Sequence, residues 1–145
     1  MNTNDNYNDI EKPFDEVTAE DIKNALAADK ERETYMGLPV IVINDDEYTV
    51  AEGEEEATKA ARQAVEDSIC YFRPSVLADH SDVPEKVFVW LAGSCFDDND
   101  AYKAMIYDVE DFIDDAIDAD GRGHFLSPYD SKEHEIGEYF LYRIN

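Results

Sequence analysis

The sequence predicts an α+β fold, a small antiparallel sheet packed against two or three helices. Three observations lead there. Stretches of helical and strand period are interleaved along the 145 residues. The strands are few, and one pair is joined by a tight polar turn. Hydrophobic residues make up 43% of the chain, too many for a chain disordered throughout and enough for one domain's core. Helices and an antiparallel sheet sharing that core are the natural arrangement.

The elements follow in order. Residues 1–13 are polar, end at Pro13, and read as a flexible N-terminal arm, which leaves 14–145 as a single acidic domain. Thr18 is placed to cap a helix, with Asp21 three residues on as an acidic capping box. The helix is expected from Ala19 to Glu33, with Gly37 and Pro39 at its exit. VIVINDDEYTV, residues 40–50, reads as a hairpin: β-branched residues, then Asn44 to Asp46 for the turn, then a second strand. From Glu54 the period becomes helical, with Ala57, Ala60, Ala61, Ala64, Val65 and Ile69 on one face. Glu54, Glu55 and Glu56 occupy its first turn, where the helix dipole favours them, and Pro74 stops it. Residues 75–86 read as a short helical turn and a loop. VFVWLAG, ending at Gly93, reads as a buried strand. The longest helix is expected from Asn99 to Asp118, with its apolar stripe through Met105, Val109, Phe112, Ile113 and Ala116. Gly121 or Gly123 ends it, Ser127 to Asp130 make a turn, and EYFLYRI forms a terminal strand.

Charge is the strongest signal. Asp and Glu number 36 against 12 Lys and Arg, a formal net charge of -24. A soluble domain of this size is comfortable at a magnitude of about 2–8. Three explanations compete: a high-salt cytoplasm, a bound cation such as calcium, and a basic macromolecular partner. Direct binding of nucleic acid is disfavoured, since each phosphate contact wants a cation. An anionic membrane surface is disfavoured on the same ground, and the longest strong apolar run, LPVIVI, is far below the roughly 20 residues that span a bilayer. The opening MNTNDNYNDIEKP has neither a basic nor an apolar region, so no secretory signal is expected.

The densest acidic stretch is residues 97–120, where Lys103 is the only base. Asp108, Asp111, Asp115 and Asp118 recur at steps of 3, 4 and 3, flanked by Asp114, and are expected to form one outward ridge. Such steps rise about 5–6 Å, close to the pitch of phosphates along a nucleic-acid strand. A basic groove lowers its energy with any anion row of matching pitch. The alternative is an ordinary solvated face. Glu54, Glu55 and Glu56 are a second candidate contact set.

Signals for chemistry are sparse. His80, His124 and His134 show no metal-binding spacing, and Cys70 and Cys95 show no CxxC spacing. Ser94 in AGSCF lacks the second glycine of a nucleophile elbow. DADGRG fails the EF-hand pattern with either glycine at the turn position, leaving at most a weak cation site near Asp118 and Asp120. No catalytic residue, metal ligand or cofactor is assigned.

Two stretches carry a likeness. EYTVAEGEEEATKAARQAVEDSICYFRPSVLADH and GRGHFLSPYDSKEHEIGEYFLYRIN resemble segments of small uncharacterised acidic bacteriophage accessory proteins. Together they span roughly 60 residues. The resemblance implies a setting, the cytoplasm of an infected bacterial host, and it transfers no fold or activity. The expected function is an acidic inhibitor that mimics nucleic acid and blocks a basic nucleic-acid-binding host protein of restriction, CRISPR, nuclease or polymerase type. The alternatives are a small metal-dependent or nucleotide-processing enzyme, with His124, Asp118 and Asp120 as the cluster to test, or a halophilic structural protein. An assembly role would show instead as an exposed apolar patch. The oligomeric state is left open.

Overall fold

The computed structural model describes residues 9–28 and 32–145. The chain is α+β, with seven α-helices and six strands among the described residues. It divides into two compact units, Met1–Ala61 with Asp120–Asn145, and Arg62–Ala119.

The first unit holds the sheet. Its strands are β1 (Asp9–Ile10), β2 (Thr34–Tyr35), β3 (Leu38–Ile43), β4 (Asp46–Glu52), β5 (His134–Ile136) and β6 (Tyr139–Arg143). The order is β1-β3-β4-β6-β5, with β2 also paired to β3. Every pairing is antiparallel except β1 with β3. The expected hairpin is present, and its turn is legible in the chemistry. Asn44 and Asp45 both have positive φ, 50° and 72°, the left-handed pair that a two-residue turn of matching twist requires. Asn and Asp tolerate that region better than other non-glycine residues.

The arm expected over 1–13 is cut short. Residues 1–8 lie outside the described residues, while Asp9 and Ile10 pair with Val42 and Ile43. The first helix, α1, spans Ala19–Ala28. Its expected continuation to Glu33 falls partly on residues 29–31, outside the described residues. The capping box is formed as expected: Asp21 N donates to Thr18 Oγ1 (3.2 Å), and Thr18 N donates to Asp21 Oδ2 (3.0 Å). Asp21 also pairs with Lys12 at 2.6 Å. That bond and the Thr18 N–H hold its carboxyl below the usual range.

One face of the sheet presents Ile41, Ile43, Tyr48, Val50, Tyr139 and Leu141, buried with Ile22 and Ala25 of α1. The other face presents Thr49, Ala51 and Tyr142, also buried. Against it lie the start of α2 (Glu54–Glu66) and α7 (Arg122–Leu126), held through Arg122, which reaches Thr58 Oγ1 at 3.0 Å and lies over the Phe140 ring at 4.9 Å. Alanines at 57, 60 and 61 let α2 approach closely, and all three are buried.

The second unit is helical. Beyond the end of α2 come a 3-10 turn at Ile69–Tyr71, α3 (Pro74–Asp79), α4 (Glu85–Gly93), α5 (Asn99–Met105) and α6 (Val109–Asp120). Leu77, Phe88, Tyr102, Phe112 and Ile113 form its core, each at most 2% exposed. Asn99 closes the end of α2: its Nδ2 donates to Glu66 O (2.7 Å), and its Oδ1 accepts from Cys70 N (3.0 Å).

Two expectations are corrected here. VFVWLAG is helical in α4, and is not a strand. A short apolar run does not distinguish the two by periodicity. The deciding signal lies upstream, where Val83 N is turned back onto Ser81 Oγ (3.1 Å), Pro84 flanks the first turn with φ -61°, and Glu85 follows at the positive dipole end. The single helix over 99–118 is two helices. Ile106 leaves helical geometry at φ -85°, ψ 134° and bridges to Ser81, and Tyr107 N donates to His80 O at 2.9 Å. Asp108 then starts α6.

Candidate functional site

The acidic ridge is best built from the start of α6. The first N–H groups of a helix lack partners, and a carboxylate one residue ahead supplies one. Asp108 does this, its Oδ1 accepting from Asp111 N at 3.2 Å. Asp98 does the same for α5, accepting from Ala101 N at 3.2 Å. Asp108 is therefore committed to the fold as a cap.

Asp114 is also engaged. Arg62 forks between Asp114 and Glu110, one turn apart on α6, at 2.6 Å from Glu110 Oε1. These two bonds hold the guanidinium more firmly protonated than usual. Asp115 meets His80, whose Nε2 lies 3.0 Å from Asp115 Oδ2 while its Nδ1 lies 2.9 Å from Val76 O. Burial opposes charge on this imidazole, but the Val76 carbonyl and the Asp115 carboxylate outweigh it and raise its pKa above the ordinary value. The ring also packs edge-on against Phe112 at 5.0 Å.

Asp111 and Asp118 remain. Both are exposed, and neither makes an ion pair among the described residues. Asp115 stays 66% exposed despite its histidine. All five ridge aspartates are exposed, opposite the buried Phe112, Ile113 and Ala116, and Asp111, Asp115 and Asp118, at steps of 4 and 3, are the ones bound neither to a helix cap nor to an Arg or Lys. The second set, Glu54, Glu55 and Glu56, is exposed in the first turn of α2 and belongs to the other unit. Glu54 lies 3.7 Å from Arg122.

The histidines are dispersed. His124 is exposed and sits edge-on to its neighbour Phe125 at 4.9 Å. His134 packs against Phe14 and Tyr48 at 4.8 and 6.4 Å. Among the described residues no group of three His, Cys, Asp or Glu side chains is placed to hold a metal ion. Cys95 is exposed and Cys70 partly covered, and both are free thiols. Burial pushes the Cys70 thiol up, assisted by Asp97.

The GRGHFLSPYD stretch resolves into a structural latch. Gly123 is buried, and a Cβ there would stand 2.7 Å from Ser131 O. Arg122 forms a two-pronged bond to Glu133, with Nε and Nη2 at 2.9 and 3.0 Å from its two oxygens. Tyr142 OH donates to the same carboxylate at 2.6 Å. Burial, and then that bond, push the Tyr142 phenol far up. Ser127 Oγ lies within donating distance of Arg143 O (2.7 Å) and Asp130 Oδ1 (2.8 Å). Tyr129 lies under the Arg143 guanidinium at 3.7 Å. These are the residues a sequence signature would emphasise, and each has a folding task.

Comparison with protein-family models, curated proteins and solved structures returned no match. Among the described residues no helix is long and apolar enough to cross a membrane. Sequence reasoning missed the exposure of Val89 and Trp90 of α4 and of Tyr71 and Tyr107, each more than half exposed. Reading 87–93 as a buried strand concealed the first two. A helical reading would have placed them on the face away from Phe88.

Proposed function

We propose that this chain is an acidic interaction protein that occupies the nucleic-acid-binding surface of a basic protein, presenting carboxylates where that surface expects phosphates. The observation that carries the reading is the outward row of Asp111, Asp115 and Asp118 on α6. It belongs to a unit with 14 Asp and Glu against 4 Lys and Arg, so the charge around the row is predominantly negative. Dispersed histidines favour this over an enzyme. The resemblance to phage proteins adds the setting, an infected bacterium, with a host nuclease, polymerase or defence complex as the partner class. Asp108 and Asp114 support the row by capping α6 and tying it to Arg62.

The test is an affinity capture from bacterial lysate at low and moderate salt, followed by elution with duplex DNA. Basic nucleic-acid-binding proteins should be retained at low salt, lost at moderate salt, and displaced by the duplex. The Asp111→Lys/Asp115→Lys variant, checked for native circular dichroism, should capture none of them. Equal capture by that variant, or retention that duplex DNA does not disturb, would overturn the reading.

A further inference from the structure

The outer face of α4 is a poor fit to a surface meant only for water. Its sequence, EKVFVWLAG, is apolar, yet Phe88 is the only buried residue. Val89 is 53% exposed and Trp90 68% exposed. At 100° per residue, Lys86, Val89, Trp90 and Gly93 share the side turned from Phe88. A Cβ at Gly93 would meet nothing within 4 Å, so the face is open to a close backbone approach. Tryptophan, with tyrosine and arginine, is enriched among the residues that carry most of the binding energy at interface centres.

The charges around it identify the occupant. Glu85 opens α4, and Asp97, Asp98 and Asp100 follow its last turn. The intervening loop is held against the helix end by Cys95 N to Ala92 O (3.1 Å) and Phe96 N to Leu91 O (3.0 Å). The helix's own dipole adds negative potential at that end. Lys86 is the single base on the helix. A second copy of the chain would bring a -24 molecule and the same carboxylates against themselves, because a two-fold contact is self-complementary. A basic partner meets no such repulsion.

We propose that the outer face of α4, centred on Trp90 and Val89 between Glu85 and the Asp97 and Asp100 carboxylates, docks a basic amphipathic segment of a partner protein. An apolar side chain of that segment covers Trp90. Its Lys or Arg side chains flank that anchor, spaced by the length of α4, about 13 Å for nine residues. The proposal goes beyond the α6 reading and uses none of its carboxylates.

Trp90 is the only tryptophan, so intrinsic fluorescence reports this face directly. The probe is a synthetic helical peptide with a leucine stripe and Lys/Arg flanks, titrated at moderate salt. Its control has the same stripe with Glu in place of every base. The basic peptide should shift the Trp90 emission to the blue with saturation, and the acidic one should not. Val89→Ser, an exposed, charge-neutral change that leaves the core intact, should weaken binding about tenfold or more, and Lys86→Glu should tighten it. The Asp111→Lys/Asp115→Lys variant should still show the shift. No shift with the basic peptide, or an equal shift with the acidic one, overturns the proposal. A shift with protein concentration alone, with a dimer in sedimentation, makes a second copy the occupant and also overturns it. Binding abolished by the α6 reversal but indifferent to Val89→Ser places the peptide on α6, which refutes the α4 site and leaves the α6 reading standing.

Discussion

Among the described residues, Arg122 and the outward carboxylates of α6 hold charge in two contrasting environments. Arg122 is 15% exposed and meets Glu133, Thr58 Oγ1, the Glu54 carbonyl and the Phe140 ring. Asp111 and Asp118 stand in solvent with no ion-pair partner among the described residues. A buried charge is tolerated only when its hydrogen bonds are complete, so its loss is expensive. An exposed carboxylate among like charges adds little to the fold and leaves its field available outside. Charged residues of this chain therefore separate into those that build it and those that face outward, and mutation should tell them apart by size of effect.

The largest effect is expected at the latch. Gly123→Ala would drive a Cβ to 2.7 Å from the Ser131 carbonyl oxygen and 2.9 Å from the Lys132 carbonyl carbon, both backbone atoms. Arg122→Ala would leave the Glu133 carboxylate, which also accepts from Tyr142 OH, without its cation. Each should lower the unfolding free energy by about 3 kcal/mol, the range for overpacking and for breaking a covered ion pair. Urea unfolding by circular dichroism measures it. A loss below about 1 kcal/mol for Arg122→Ala would mean that its bonds are no stronger than surface pairs.

How far the sequence could anticipate this contrast depends on where each signal lies. The α+β class, the 40–50 hairpin and the Thr18 capping box were legible, because β-branched runs, Asn-Asp turns and Thr-x-x-Asp spacing act locally. α4 was not, because its apolar run fits either period and the start signal at Ser81 to Glu85 sits before it. The break at Ile106 was not either. It depends on a bridge to Ser81 and on the His80 carbonyl, both more than 20 residues away in sequence. The same limit shaped the site. The row of aspartates was visible from spacing, but the engagement of Asp114 by Arg62 and of Asp115 by His80 is tertiary. The cap at Asp108 was masked by treating 99–118 as one helix.

An intermediate effect is expected at His80, where the two classes meet. The imidazolium form donates from both nitrogens, to Val76 O and to Asp115. The folded pKa is raised above the ordinary 6.5, so the stabilisation is fully present below that value and is lost as pH rises through the raised folded value. His80→Ala should therefore destabilise the chain more at pH 5.5 than at pH 8.5, on top of a pH-independent loss of packing on Phe112. Equal losses at the two pH values would show that the bond to Asp115 does not favour the charged ring in solution.

The smallest effect is expected at Asp111, and its sign matters more than its size. Asp114 and Asp115 lie three and four residues on, and Asp108 three residues before, so Asp111 has like charges on both sides along one face. Each such pair opposes helix formation by about 0.2–0.5 kcal/mol. Its side chain carries no cap, since the bond at Asp108 uses only the Asp111 backbone N–H. Asp111 also sits in the first turn of α6, where the helix dipole favours a carboxylate by about 0.3–1 kcal/mol. The two effects nearly cancel, so Asp111→Lys should change stability by no more than about 0.5 kcal/mol at low salt, and the difference should shrink as salt rises. Paired urea melts at low and high salt measure both. A gain would mean that the native aspartate works against the fold, which is the pattern of a residue kept for what it meets outside the chain. A loss at both salts would assign Asp111 a structural partner and move it to the same class as Arg122.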